Sequence, residues 1–168
     1  MPTGDGGLSA TALCDALAGA DVRLIASLPD NWLVPLIGEV DRDPRFRHVP
    51  VAREESGIAV CAGAFCAGQR GAVVMGTSGF MTCVYAITKI CLSYEIGMPV
   101  VTNLRGEVGD SSSHHFGNAL HARSILDELK IPIVRLATDA DLDKVNEAVV
   151  HAALIKRPVA MVVDKMHM

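Results

Sequence analysis

The sequence alternates between short apolar runs and longer segments in which apolar residues recur at helical spacing. Six short runs rich in β-branched residues are mostly continuously apolar, which predicts strands covered on both faces. They span residues 22–27, 46–52, 71–76, 98–104, 131–136 and 158–163. Helical patterns precede and separate them, at residues 8–18, 30–40, 54–68, 79–94, 118–129 and 139–155. This alternation predicts a doubly wound α/β fold, with a mostly parallel six-stranded sheet and helices on both of its faces.

Polar residues at the ends of the helical patterns predict where the helices begin. Ser9 and Asp30 are predicted N-caps, because their side-chain oxygens can accept hydrogen bonds from the first N–H groups of a helix. The last pattern has three aspartates within residues 139–143 and two basic residues just beyond its end. Both placements complement the dipole of a helix, so this pattern predicts a helix most clearly.

The composition bounds the class of protein. Of 168 residues, 50% are hydrophobic and only 4% are aromatic. This apolar content excludes an intrinsically disordered chain, and the length fits a single domain over residues 1–168, with residues 1–7 as a flexible N-terminus. A lone domain of this size usually has a more polar surface, so we expect another subunit to cover part of it.

Charge, targeting and cysteine usage narrow the partners and the compartment. Fifteen basic and nineteen acidic residues give a net charge of −4, without a basic block, which argues against nucleic acid as a partner. Residues 72–92 imitate a membrane span, but the polar break at residues 77–79 favours a strand, a loop and a buried helix. Without a signal peptide, and with five cysteines in no paired motif, the chain is predicted to be cytoplasmic, with no membrane anchor and no metal site.

In parallel sheets, ligands bind where strands end and the chain turns into the next helix. Five loops are therefore candidate ligand-binding segments, at residues 27–31, 52–57, 76–82, 105–117 and around Thr138. The second loop brings Glu54 and Glu55 to a helix start. Helix capping alone explains both carboxylates. Alternatively, burial would raise the pKa of a carboxylate there while the helix N-terminus lowers it, and this opposition can tune an acid/base group.

The third and fourth loops carry polar groups that suit ligand binding. Residues 76–82 offer hydroxyls and N–H groups at a helix start but lack the lysine of a phosphate loop, and a simple helix cap also explains them. Residues 105–117 form the longest polar loop. It holds Arg105, a candidate anion clamp at a strand end, and His114 and His115, which are either proton-transfer groups or merely solvated.

These loops together resemble the pyrimidine-binding domain of thiamine diphosphate enzymes. The resemblance rests on Arg-Glu-Glu-Ser-Gly and the small-residue helix at 53–68, Thr-Ser-Gly at 77–79 and Arg-Gly-Glu at 105–107, with support from Leu-Pro-Asp at 28–30. It covers nearly the whole chain and is nearest to the α subunit of sulfopyruvate decarboxylase and the N-terminal half of phosphonopyruvate decarboxylase. Residues 76–82 depart from that group, which tends to show Gln-Asn-Ser-Gly-Leu-Gly-Asn there.

The resemblance implies a role for particular residues. Glu55 would hydrogen-bond the ring nitrogen of the aminopyrimidine and activate the cofactor, while Glu54 would only cap the helix. His114 and His115, similar to the histidine pair of pyruvate-decarboxylase-like enzymes, would assist proton transfer, and Arg105 with this pair would bind the anionic substrate. Cofactor contacts are carried over to Pro29, Asp30, Thr77, Ser78, Gly79 and Phe80.

The resemblance also implies that half of the active site is elsewhere. Family members hold the diphosphate and Mg²⁺ on a second domain, of which this chain has no copy. Gly4-Asp5-Gly6 with Asn31 imitates its metal motif but precedes any predicted strand, so we regard it as a coincidence. A separate β subunit would supply thiamine diphosphate and Mg²⁺ binding in an α–β hetero-oligomer.

The resemblance implies a decarboxylase and favours a small anionic 2-oxo acid, sulfopyruvate or phosphonopyruvate, as its substrate. Two alternatives stay open: another 2-oxo acid decarboxylase or carboligase with the same division into subunits, and a non-catalytic binding domain of the same fold.

Overall fold

Six parallel strands form one open sheet in the computed structural model, which describes residues 7–106 and 110–166. The strands are β1 (Val22–Ser27), β2 (Arg47–Pro50), β3 (Arg70–Val74), β4 (Pro99–Thr102), β5 (Ile133–Leu136) and β6 (Val159–Val163). Their order across the sheet is β2-β1-β3-β4-β6-β5, and every neighbouring pair is parallel. All six predicted strands and the α/β fold are confirmed. The predicted flexible N-terminus lies outside the described residues, apart from Gly7.

Helices connect the strands on both faces of the sheet. They are α1 (Ala10–Gly19), α2 (Val34–Arg42), α3 (Glu54–Cys66), α4 (Thr77–Thr82), α5 (Val84–Ala86), α6 (Phe116–Glu128) and α7 (Asp143–Ile155). A π-helical segment (Ile87–Leu92) continues α5, and 3₁₀ turns (Ser113–His115 and Asp139–Asp141) precede α6 and α7. Ser9 caps α1 as predicted, because its side chain accepts a hydrogen bond from the N–H of Ala12.

Asp30 does not cap α2, contrary to the prediction. The helix begins only at Val34, with Leu33 as its N-cap and a proline in its first turn. Proline is favoured there because its missing N–H has no partner to lose. The Asp30 side chain instead accepts the N–H of Trp32 at 2.9 Å, which closes the turn that precedes the helix.

The helix predicted at residues 79–94 is wrong in its bounds and continuity. It begins two residues earlier, at Thr77, and is interrupted at Cys83 before the π-helical segment. Thr82 and Thr88 each donate their hydroxyl to a backbone carbonyl three residues earlier. Such bonds compete with regular helix geometry and bend it. Because α4 spans Thr77–Thr82, most of the third loop predicted at residues 76–82 is helical.

Two apolar cores lie on the two faces of the sheet. One joins α1, α2 and α7 to the sheet, and the other joins α3, α4, the π-helical segment and α6 to it. Four of the five cysteines are buried among these side chains, and all five are free thiols. Within the described ranges, no helix is both long and apolar enough to cross a membrane.

The strand order creates a switch point beside β1. The chain passes from β1 to β2 on one side and then to β3 on the other. Connections leaving β1 and β3 therefore diverge, and in parallel sheets such a switch point is where a ligand-binding crevice forms at the carboxyl ends of the strands. The loops after β1, β3 and β4 meet there, which is where the sequence predicts a ligand.

A hydrogen-bonded series of Ser27, His48 and Asp41 joins the edge strand β2 to β1 and α2. Ser27 Oγ lies 2.7 Å from His48 Nε2, and His48 Nδ1 lies 2.7 Å from an Asp41 carboxylate oxygen. Ser27 is only 1% exposed, so a substrate carbonyl does not reach its hydroxyl, as a nucleophilic serine would require. We therefore interpret this chain of hydrogen bonds as a lock between β1, β2 and the end of α2.

Asp141, in the turn before α7, is expected to make the stability of the fold sensitive to acid. Lys144, together with the N–H groups of Ala137 and Thr138, lowers the pKa of Asp141 to about 2. Because the folded-state pKa lies below the unfolded value near 4, Asp141 stabilises the fold fully above about pH 4 and loses this contribution as the pH falls towards 2. Urea unfolding of Asp141→Asn between pH 2 and 7 should show lower stability at pH 7 and a shallower decline below pH 4 than the original chain. An unchanged pH profile would contradict this prediction.

Candidate active site

A polar network ties together the loops that follow β1, β3 and β4. Asn103, directly after β4, donates its side-chain N–H to Asp30 at 2.7 Å. Its carbonyl groups accept the Thr77 hydroxyl at 2.7 Å. Asp30 in turn lies against Gly76, where a β-carbon would come within 2.5 Å of the carboxylate. A side chain at position 76 would therefore displace the Asp30 carboxylate that accepts the Asn103 amide, so glycine there permits this arrangement of the loops.

Glu54 and Glu55 begin α3 beside this network but face different neighbours. A β-carbon at Gly79 in α4 would overlap the Glu54 side chain, so that carboxylate lies directly against the Thr-Ser-Gly segment. Glu55 pairs instead with Arg53 at 3.2 Å and is 30% exposed. Its own backbone N–H and then Arg53 lower the pKa of Glu55. The sequence expected Glu55 at the site and Glu54 as a cap, whereas Glu54 is the carboxylate packed on α4.

Arg105 is held in a fixed orientation at the end of β4. Its guanidinium stacks on Trp32, 4.7 Å from the ring centroid. Its Nε and Nη2 atoms donate to the Asp110 carboxylate at 3.2 and 3.3 Å. The Arg105 side chain is 11% exposed. One edge of the Arg105 guanidinium is thus already occupied by a carboxylate, and its role as an anion clamp stays a prediction.

The two histidines have different environments. His115 Nδ1 lies 3.0 Å from Asp110 Oδ2, and the His115 side chain is 21% exposed. The His114 residue is exposed, at the surface of the same 3₁₀ turn. The structure therefore places the two predicted histidines in different environments, and of the two only His115 is joined to the residues around Arg105.

The remaining predicted site residues are divided between surface and interior. Ser78 is exposed and accepts a hydrogen bond from Asn118 at 3.0 Å. Pro29 is also exposed, on the loop after β1. Thr77 is buried in the polar network, and Phe80 lies in the apolar core at 1% exposure. The side chain of Phe80 therefore faces away from the crevice.

Three residues of the site escaped the sequence analysis. Trp32, Asn103 and Asp110 each contact a predicted site residue, although none of the three belongs to a motif on which the sequence prediction rested. The signal for Asn103 was a polar residue ending a continuously apolar strand. Trp32 is the only tryptophan of the chain and follows the Leu-Pro-Asp segment directly, which was a usable hint.

The structure offers no ready metal site in residues 7–106 and 110–166. No three His, Cys, Asp or Glu side chains among them are grouped to hold an ion. Glu107, part of the Arg-Gly-Glu motif, lies outside the described residues, as does the Gly4-Asp5-Gly6 segment. The prediction that Mg²⁺ is held by another subunit stays a prediction.

Comparisons with known proteins point to one family, although no family model matches the chain. The chain is 26% identical over 157 residues to the sulfopyruvate decarboxylase subunit alpha of Methanococcus maripaludis, covering 93% of this chain and 94% of that protein. It is 33% identical over 110 residues to the phosphonopyruvate decarboxylase of Streptomyces viridochromogenes, covering 64% of this chain and 28% of that protein.

A third relative has a higher sequence identity to this chain than the Methanococcus protein has, and it also aligns over most of both chains. The sulfopyruvate decarboxylase subunit alpha of Methanothermobacter thermautotrophicus is 32% identical over 124 residues, which cover 74% of this chain and 75% of that protein. The resemblance seen in the loops thus extends through most of the fold. The chain belongs to the family of sulfopyruvate decarboxylase alpha subunits.

Proposed function

We propose that this chain is the pyrimidine-binding subunit of a heteromeric, thiamine diphosphate-dependent 2-oxo acid decarboxylase acting on sulfopyruvate or phosphonopyruvate. The observation that carries the proposal is the carboxylate pair at the start of α3, with Glu54 packed on Gly79 at the switch point of the sheet. Membership of the sulfopyruvate decarboxylase alpha family supports the same activity.

The residues at the crevice fit the pyrimidine end of the cofactor. An aminopyrimidine ring needs a carboxylate for its ring nitrogen. Glu54 would supply it, and Gly79 leaves room for the Glu54 side chain itself, since a β-carbon there would displace that carboxylate. As the resemblance implies, we assign the diphosphate and Mg²⁺ to a β subunit.

Bound thiamine diphosphate would supply the electron sink that allows a 2-oxo acid to lose carbon dioxide. Within this chain, a carboxylate at the start of α3 would hold a proton at the pyrimidine ring nitrogen. The sequence assigned this function to Glu55. The packing of Glu54 against α4 favours Glu54 for it, because Glu55 is paired with Arg53.

Arg105 and His115 would act on the substrate. Asp110 occupies the Nε and Nη2 atoms of Arg105, and Trp32 covers one face. An anionic sulfonate or phosphonate would therefore approach the guanidinium from its Nη1 end. His115, joined to the same carboxylate, would hold or release a proton beside it.

Exposed apolar residues support a covering partner. Phe116 begins α6 directly after the histidines, Leu120 lies about one turn further on, and Tyr85 lies on α5; all three are more than half exposed. Contiguous apolar patches mark sites where proteins associate, and Phe116 and Leu120, four positions apart on α6, share one face of that helix. We propose that the β subunit covers these residues and closes the crevice, and that the assembly contains both α and β subunits.

The test is decarboxylation by the chain coexpressed with its β subunit. Carbon dioxide release would be measured with sulfopyruvate, phosphonopyruvate and pyruvate in parallel, with and without thiamine diphosphate and Mg²⁺. We expect activity only when both subunits and cofactor are present. We expect turnover of sulfopyruvate or phosphonopyruvate at least about 100-fold above that of pyruvate, because pyruvate lacks the second anionic group.

Each alternative has its own result in this assay. Equal turnover of pyruvate would indicate a simple 2-oxo acid decarboxylase, and a coupled 2-hydroxy ketone product would indicate a carboligase. No cofactor requirement, with no decarboxylation of any of the three substrates, would indicate a non-catalytic domain of the same fold. Any of these results would overturn the proposal as stated.

A further inference from the structure

Asp110 is the common partner of the two groups that we assign to the substrate. Its carboxylate accepts hydrogen bonds from Arg105 Nε at 3.2 Å and Nη2 at 3.3 Å, and His115 Nδ1 lies at 3.0 Å. The backbone N–H groups of Gly106 and Ser112 add two further bonds at 3.0 Å each. The carboxylate is only 4% exposed, and within the described part of the chain it gathers these five donor contacts.

The chemistry of this cluster determines the state of His115. The N–H of Ser112, with His115, Arg105 and the N–H of Gly106, holds the pKa of Asp110 well below its usual range. An ionised carboxylate only accepts hydrogen bonds, so His115 Nδ1 must donate and therefore carries the proton. In the neutral imidazole, Nε2 is then the unprotonated atom that is directed away from Asp110.

The same carboxylate determines how Arg105 presents its charge. A two-point contact through Nε and Nη2 fixes the plane of the guanidinium, and stacking on Trp32 fixes its face. In contrast to His115, His114 is exposed in the same 3₁₀ turn. Only His115 is joined to Arg105 through a shared partner.

We propose that Asp110 is a positioning residue of the active site, which orients Arg105 for the anionic end of the substrate and fixes the proton of His115 on Nδ1. This inference rests on the proposed function, because the substrate contacts of Arg105 and His115 come from it. Asp110 itself does not touch the substrate and acts through these two side chains.

The orientation is testable on the full chain without its partner. Nitrogen NMR of ¹⁵N-histidine-labelled protein, assigned with His115→Asn, should show neutral His115 protonated on Nδ1. Asp110→Asn has a single acceptor oxygen for five donors, so we expect it to lose this pattern and to shift the emission of Trp32, which stacks on Arg105. Ser111→Ala is the matched control, since Ser111 is adjacent and exposed, and it should change neither signal. A His115 signal identical in Asp110→Asn would overturn the proposal.

The catalytic consequence is testable in the assembled enzyme by a double-mutant cycle. Asp110→Asn should lower kcat roughly 10–100-fold and raise KM, because it affects both His115 and Arg105. In a His115→Asn background, Asp110→Asn should lower kcat by less than about threefold, since the proton to be positioned is gone. Asp110→Glu, which keeps a carboxylate, should restore part of the loss, whereas Ser111→Ala should behave as the original enzyme.

The two arms separate failure of this inference from failure of the proposed function. If the original complex decarboxylates and Asp110→Asn matches it in kcat and KM, the positioning inference is wrong. Full additivity of Asp110→Asn and His115→Asn would also overturn it. If the original complex decarboxylates none of the three substrates while the NMR pattern is as expected, the orientation of His115 stands and the proposed function fails.

Discussion

Glu54→Gln is expected to lower decarboxylation by the assembled enzyme at least about 100-fold, and Glu55→Gln less than about tenfold. Glutamine has the shape of glutamate but cannot hold a proton at a ring nitrogen as a carboxylate does. Glu54 lies against Gly79 of α4, the helix that follows β3, whereas Glu55 is held by Arg53 at 3.2 Å. Substitution of Glu54, the carboxylate packed on α4, should therefore cause the larger loss of decarboxylation activity.

The comparison needs steady-state rates at saturating thiamine diphosphate, with both variants prepared beside the original complex. Neither substitution removes buried apolar surface, so thermal unfolding should change little and serves as the control for folding. A larger loss in Glu55→Gln would return the function to the residue that the sequence indicated. Full activity in both variants would refute the assignment of cofactor activation to this carboxylate pair.

The sequence was sufficient for the parts of the fold that depend on local pattern. The strands were recognisable because a parallel sheet buries both faces, which leaves continuous apolar runs such as Val22–Ser27. The start of α3 was also recognisable, because two glutamates precede a run of small residues. Both features reside in consecutive residues, so no long-range contact was needed to infer them.

Features that depend on contacts between loops were not recognisable. The switch point brings Asn103 to Asp30, 73 positions apart, and nothing near either residue indicates the other. Asp110 looked like one polar residue in a polar loop, although it gathers five donors. The choice between Glu54 and Glu55 likewise depends on Gly79, a residue of another helix. Neighbouring positions on a helix face different directions, and the sequence alone did not say which direction was the crevice.

Gly97→Ala is expected to destabilise the chain by about 3 kcal/mol or more. Gly97 precedes β4 and packs directly on the backbone of α7, where a β-carbon would overlap the carbonyl oxygen of Ala152. That oxygen accepts hydrogen bonds from the N–H groups at the end of α7, including that of Arg157 at 3.2 Å. Backbone cannot rotate away as a side chain can, so α7 must shift and disturb the core around Val149 and Ala152.

Gly63→Ala is the matched control for this substitution. Gly63 lies inside α3, and a β-carbon there would meet nothing within 4 Å. Alanine should therefore stabilise the helix by about 0.5–1 kcal/mol, since glycine is the poorer helix former. Urea unfolding of the full chain followed by circular dichroism gives both values on one scale. A loss below about 1 kcal/mol in Gly97→Ala would mean that α7 can move away from β4 at little cost, contrary to the close packing of the two backbones.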